Sequence, residues 1–238
     1  MQPADAAPAE RSAVSATRVW LGLALALAAY AALIVMGLRS RASLTPPQLT
    51  DPARLLSWWS PLMGLGVIGI VAFIEHAPLT SLGLRRPRLI DLDWGLLFFA
   101  VGFAAMVRIG PMVNSYVPGV GVRMREVSML EGWTMVLSSA TMEELFFRGY
   151  LLERLERVSG RTWIAALASL IMFAFGHLAA WGPAGVVRNL VWGAFITLLY
   201  VWRRNLPTCM MMHLLQNAGS LPGLWYLPLR HAFRRGAL

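Results

Sequence analysis

Lysine is absent from this sequence of 238 residues, cysteine occurs once, as Cys209, and aspartate four times, as Asp5, Asp51, Asp91 and Asp93. Each shortage excludes something. A single cysteine rules out an internal disulfide framework and any multi-cysteine metal site. Charged residues make up only 14% of the chain, where a soluble domain carries about 25%. Hydrophobic residues reach 57%, and several uncharged runs are as long as the roughly 20 residues a helix needs to cross a bilayer. The expected fold is therefore all-α, a polytopic transmembrane helical bundle. Its aspartates all lie outside the apolar runs, and the sequence contains neither a GxSG nor a GxGD motif. Serine and aspartyl types of intramembrane chemistry thus lose their usual signatures.

The apolar runs are Val19–Leu38, Leu55–Ile74, Trp94–Val113, Trp133–Leu152, Trp163–Trp181 and Gly185–Trp202. A further region, Leu206–Leu229, is interrupted by Gly219, Pro222 and Gly223 and reads as one tilted span or two short ones. The count is seven or eight. Residues 1–18 form an Ala/Pro-rich tail of disordered composition, residues 19–131 the N-terminal helices, 132–229 a core, and 230–238 a basic tail. Val19–Leu38 exceeds the roughly 7–15 residues of a cleaved signal's apolar segment, so it reads as a first span.

The net charge of +9 rests on arginine alone. Arginines fall between apolar runs, so they read as topology determinants and not as nucleic-acid contacts. Loops on the N-terminal side hold Arg11, Arg18, Arg85, Arg86, Arg88, Arg154, Arg157, Arg161, Arg203 and Arg204, and the other side holds Arg39, Arg41, Arg54, Arg123 and Arg125. The positive-inside rule then places the N-terminus in the cytoplasm. The arginine-, alanine- and glycine-rich composition suits a GC-rich bacterial genome, so the bacterial plasma membrane is the expected location. Tryptophans such as Trp94, Trp133 and Trp202 stand near run ends, where indole suits the headgroup layer.

Against this background the polar residues inside the runs stand out. "MEELFFRGYLLERL" puts Glu143, Glu144 and Arg148 in the fourth span, where each charge costs roughly 2.5–3.5 kcal/mol. Glu144 and Arg148 are four apart and can pair on one helix face, while Glu143 is turned by about 100° toward another neighbour. "FAFGH" places Phe173 and His177 four apart, with Gly176 admitting a close approach of another backbone. "HLLQN" does the same for His213 and Asn217. Glutamate and histidine can activate water, as a general base or by holding a metal. A second histidine and an amide can donate to a developing oxyanion. These are the parts for hydrolysing a peptide bond within a membrane. Elsewhere, Arg188 and Asn189 are candidates to line a cavity. Ser138 and Ser139 read as helix-packing residues, Arg108 as a snorkelling one, and Glu75 and His76 as facing a loop.

"EELFFR" (Glu143–Arg148), "FAFGH" (Phe173–His177) and "HLLQN" (His213–Asn217) resemble the EExxxR, FxxxH and HxxxN motifs of the CPBP family, the CAAX protease and bacteriocin-processing (Abi) proteins. The resemblance covers roughly Trp133 to Gly219. It implies an α-helical intramembrane endopeptidase in which Glu143 and His177 activate water and His213 and Asn217 stabilise the oxyanion. Glu144 and Arg148 would hold the site together. Such proteins have been described both as metalloproteases, usually of zinc, and as glutamate-dependent enzymes. Glu143, His177 and His213 are the candidate metal ligands, and no HExxH helix is present. Membrane lipid and a protein or peptide substrate, CAAX-like in the simplest case, are the implied partners. Two other classes use the same residues: a proton-coupled transporter or channel, and a non-catalytic membrane adaptor or immunity protein.

Overall fold

The computed structural model describes residues 14–43, 59–116 and 129–219. The rest of the N-terminal tail, the segment with Arg54 and Trp58, Arg123 and Arg125, and everything beyond Gly219 lie outside the described residues. All regular structure among the described residues is helical. Helix α1 is Ala16–Ser43, α2 is Trp59–Gly69, and α3 is Leu89–Tyr116. Helix α4 is Met129–Ser138, α5 is Glu153–Ser159, α6 is Thr162–Gly176, α7 is Leu178–Arg203 and α8 is Leu206–Gly219. Between α4 and α5 the chain keeps helical dihedrals but winds more widely, in π-type turns over Ser139–Glu143 and Leu145–Leu152. A similar turn, Ile70–Glu75, extends α2.

Among the described residues, three helical segments are long and apolar enough to cross a membrane: Ala16–Arg39, Leu89–Val113 and Trp181–Arg203. Ser60–Glu75 and Thr162–Gly176 are apolar but shorter. The described residues are all-α, as expected, and three of their helical segments meet the length and composition of a span; the expected count of seven or eight is not reached among them. The run Trp163–Trp181 is not one straight helix. Helix α6 stops at Gly176, His177 sits in the turn, and α7 bends again at Gly182 (φ 66°, ψ −169°). That backbone region is open essentially to glycine alone, and Pro183, which has no N–H to give, follows directly.

The bundle is built inside out relative to a soluble protein. Large apolar side chains such as Leu97, Val101 and Val107 face outward, while Glu144 and Arg148 are completely buried. Charges within a membrane are expected to face the bundle interior in this way. Around them packs a layer of aromatic rings, Phe146, Phe147, Phe173 and Tyr30, in edge and stacked contacts.

Arginines gather at one end. Arg203 pairs with Asp91 at 2.6 Å, and Arg204 bridges Glu153 at 3.0 Å and Glu156. Arg157 donates to the Val14 carbonyl at 2.6 Å, and Asn205 to the Arg85 carbonyl at 3.3 Å. Arg204 lies in the turn after α7; burial works against its charge, but Glu156 and Glu153 raise its pKa above the ordinary value. Glu75 does not face a loop. It is buried and held by Arg154 at 2.6 Å and by the Tyr150 hydroxyl at 3.0 Å. The sequence reading failed because the partner stands 79 residues away.

Candidate active site

Glu143 closes the first wide turn after α4. Ser60, near the start of α2, donates its hydroxyl to Glu143 Oε1 at 2.9 Å. The other oxygen, Oε2, is buried and has no hydrogen-bond partner among the described residues. His177 Nε2 lies 3.9 Å from it, too far for a direct hydrogen bond. His177 Nδ1 is 2.8 Å from the Phe173 carbonyl. A carbonyl only accepts, so Nδ1 carries the hydrogen and Nε2 of the neutral ring presents a lone pair.

Glu144, the next residue, meets different partners. Its Oε1 accepts from Arg148 at 3.0 Å and from His213 Nδ1 at 2.8 Å. The expected pair four residues apart is therefore present, and the wider winding does not break it. Arg148 also donates to the Gly193 carbonyl at 3.2 Å and to Thr197 at 3.3 Å. Its guanidinium lies 4.3 Å from the centre of the Phe173 ring, within cation–π range. Phe173, expected to pack, does so on three site residues at once, with ring centres 4.9 Å from His177 and 6.1 Å from His213.

Asn217 donates to Ser139 Oγ at 2.8 Å. Ser139 thus does more than pack, correcting the sequence reading. Gly176 admits the Tyr30 side chain, not a backbone: an added Cβ would lie 3.1 Å from the Tyr30 hydroxyl.

Glu143, His177, His213 and Asn217 all line one cavity of about 390 Å³. Arg188 and Asn189 line it too, as expected, with Asn189 fixed by its bond to the Gly185 carbonyl at 2.9 Å. Ser60 is a lining residue that sequence reasoning missed. A serine in "SWWSPLM" carries no signal, because its role depends on a carboxylate 83 residues away. Glu144 and Arg148 stand behind the wall as supports.

Among the described residues, no three His, Cys, Asp or Glu side chains are gathered closely enough to hold a metal ion. The donor chemistry nevertheless suits one. Both histidines commit Nδ1 to an oxygen acceptor, leaving Nε2 available, and such an acceptor behind the ring is the usual support of a metal-binding histidine. Glu143 Oε2 is free beside them.

Glu143, His177, His213 and Asn217 thus meet at one internal cavity, with Glu144 and Arg148 behind its wall. Residues 125–219 match the family model described as type II CAAX prenyl endopeptidase, Rce1-like. The match covers less than half of the chain and agrees with the CPBP resemblance of the three motifs. No curated protein matches the chain, and no solved structure does.

Proposed function

We propose that this chain is an intramembrane endopeptidase that hydrolyses peptide bonds of membrane-associated substrates, CAAX-like ones among them. The observation that carries the reading is the pair of acceptors on the cavity wall, Glu143 Oε2 and His177 Nε2, 3.9 Å apart. A water about 2.8 Å from each fits between them and gives one hydrogen to each. Its lone pairs then face the cavity, the orientation a nucleophile needs. As the water attacks a carbonyl carbon, Glu143 takes its proton as general base. Ser60 holds the other carboxylate oxygen, so the base keeps its orientation.

The oxyanion formed by that attack needs donors. Asn217 has a second amide hydrogen beyond the one given to Ser139. His213, with Nδ1 committed to Glu144, would donate from Nε2 once that nitrogen is protonated. Arg148 holds Glu144 in turn, so the buried ion pair serves as the support of an oxyanion donor. A metal, zinc first among the candidates, would be held by Glu143, His177 and His213. It would supply an acidified water and a Lewis acid for the carbonyl.

Residues 132–229 would form the catalytic core and residues 19–131 the supporting helices. The arginine-rich end, and with it the N-terminus, would face the cytoplasm from a bacterial plasma membrane. The test is cleavage of a membrane peptide by the purified protein in detergent, with and without a chelator and with metal content measured on the same sample. Wild-type turnover that disappears in Glu143→Ala, His177→Ala and His213→Ala is the expected result, and undiminished turnover in those variants rejects the reading. The break at Gly182–Pro183 favours one second reading, proton-coupled transport, because interrupted helices mark transport sites. Flux into proteoliposomes that depends on Glu143, without proteolysis, would establish it instead.

A further inference from the structure

Arg188 and Trp192 stand four apart on α7, so they share one face of that helix, and both line the cavity. The ion pairs among the described residues use Arg148, Arg154, Arg203 and Arg204, and Arg188 is in none of them. A cation in a membrane span without a carboxylate partner is costly and marks a functional position. Trp192 is 3% exposed, and its indole Nε1, a donor only, is buried with no acceptor. One turn apart on the wall of the cavity that holds Glu143, α7 thus presents a half-buried guanidinium in no ion pair and a buried N–H with no acceptor. The cavity's own carboxylate does not answer them, since Glu143 is bound to Ser60 and faces His177.

We propose that Arg188 and Trp192 form a carboxylate subsite for the substrate of the endopeptidase reading, on which this inference rests. A planar carboxylate offers two oxygens, enough to take the guanidinium and the indole N–H together. The cavity, at about 390 Å³, lies near the lower end of the roughly 300–1,000 Å³ typical of small-ligand sites. It has no room for a phospholipid headgroup with both acyl chains. Because the water-activating pair and the subsite share this cavity, the bound carboxylate lies within a few residues of the bond to be cut. It belongs either to the substrate's chain terminus or to an acidic side chain near the cleavage position.

Binding is measured on the full-length Glu143→Gln protein in neutral nanodiscs, so that nothing is turned over. The probes are three acetylated ten-residue peptides rich in Ala, Leu and Val: one ending in a free carboxylate, one in a carboxamide, and one amidated peptide carrying a single Asp. A peptide with a carboxylate binds about tenfold tighter than the neutral one, as one charge-assisted bond predicts. Which of the two carboxylate peptides shows the preference identifies its source. Adding Arg188→Gln abolishes the preference, and Trp192→Phe, which keeps the ring but not the N–H, reduces it about threefold. Equal binding of all three peptides, or a preference that survives Arg188→Gln, overturns the proposal. So does Arg188-dependent binding of phosphatidylglycerol over phosphatidylcholine with no difference among the peptides, which would mark a headgroup site. These readings do not need cleavage, so failure of the wild type to cut any peptide counts against the endopeptidase reading alone.

Discussion

Two buried acid–arginine clusters in this bundle look alike in composition and differ in how completely they are satisfied. At the arginine-rich end, Arg154 donates to both oxygens of Glu75 at 2.9 and 3.1 Å, and to the carbonyl and hydroxyl of Ser81 at 3.1 and 3.0 Å. Tyr150 adds a further bond to Glu75. Nothing in that cluster is left over among the buried side-chain atoms. Beside the cavity, by contrast, Glu143 Oε2, Glu144 Oε2 and Arg148 Nε are buried without hydrogen-bond partners. A saturated network rigidifies and specifies an arrangement; a network with vacancies keeps donors and acceptors ready for something else. The first cluster clamps α2 to the helix that carries the motif. The second, about 10–15 Å away toward the N-terminal end of that helix by its rise per residue, is the one that would meet a substrate under the proposed function.

Breaking the comparison begins with Glu143. Glu143→Gln lowers the cleavage rate by about 10²–10⁴-fold, the range for loss of a general base, while the melting temperature in detergent stays within a few degrees. A comparable melting drop would mean that the cavity cluster is structural after all. Arg154→Gln does the reverse. It leaves Glu75 buried without its partner and costs about 3–5 kcal/mol, read as a fall in thermal or denaturant stability, with turnover per folded molecule preserved. Asn217→Ala sharpens the account of the site: loss of an oxyanion donor costs about 10²–10³ in kcat with KM nearly unchanged, and an effect on KM alone would assign the amide to substrate binding. Smallest is Asp91→Asn. Its carboxylate is buried but its partner Arg203 is 21% exposed. Asparagine keeps one acceptor oxygen, so the change in stability is about 1–3 kcal/mol, the range for a hydrogen bond to a charged group.

The legibility of these clusters follows the distance between partners along the chain. Glu144 and Arg148 were readable as a pair because a helical repeat brings residues four apart together, and the wide turns did not undo it. His177 and His213 were readable as candidates, but not what each would hold. His213 faces Glu144, 69 residues away, and not Asn217 on its own helix. Ser139 and Ser60 gave no signal, since hydroxyls are ordinary in membrane helices and acquire a role only from what packs against them. Glu75 was misread for the same reason.

From residues alone follow the all-helical class, the membrane environment, the three motifs and the pairing of Glu144 with Arg148. These rest on composition and on helical periodicity, which act over a few residues. Tertiary structure alone decided that the chain breaks at His177 and Gly182, that Ser60 and Ser139 serve the site, and that Glu75 is clamped by Arg154. It also decided that Arg188 and Trp192 face the same cavity as the glutamate. Each of these depends on segments tens of residues apart meeting in one place, and only packing of the helices against one another sets where they meet.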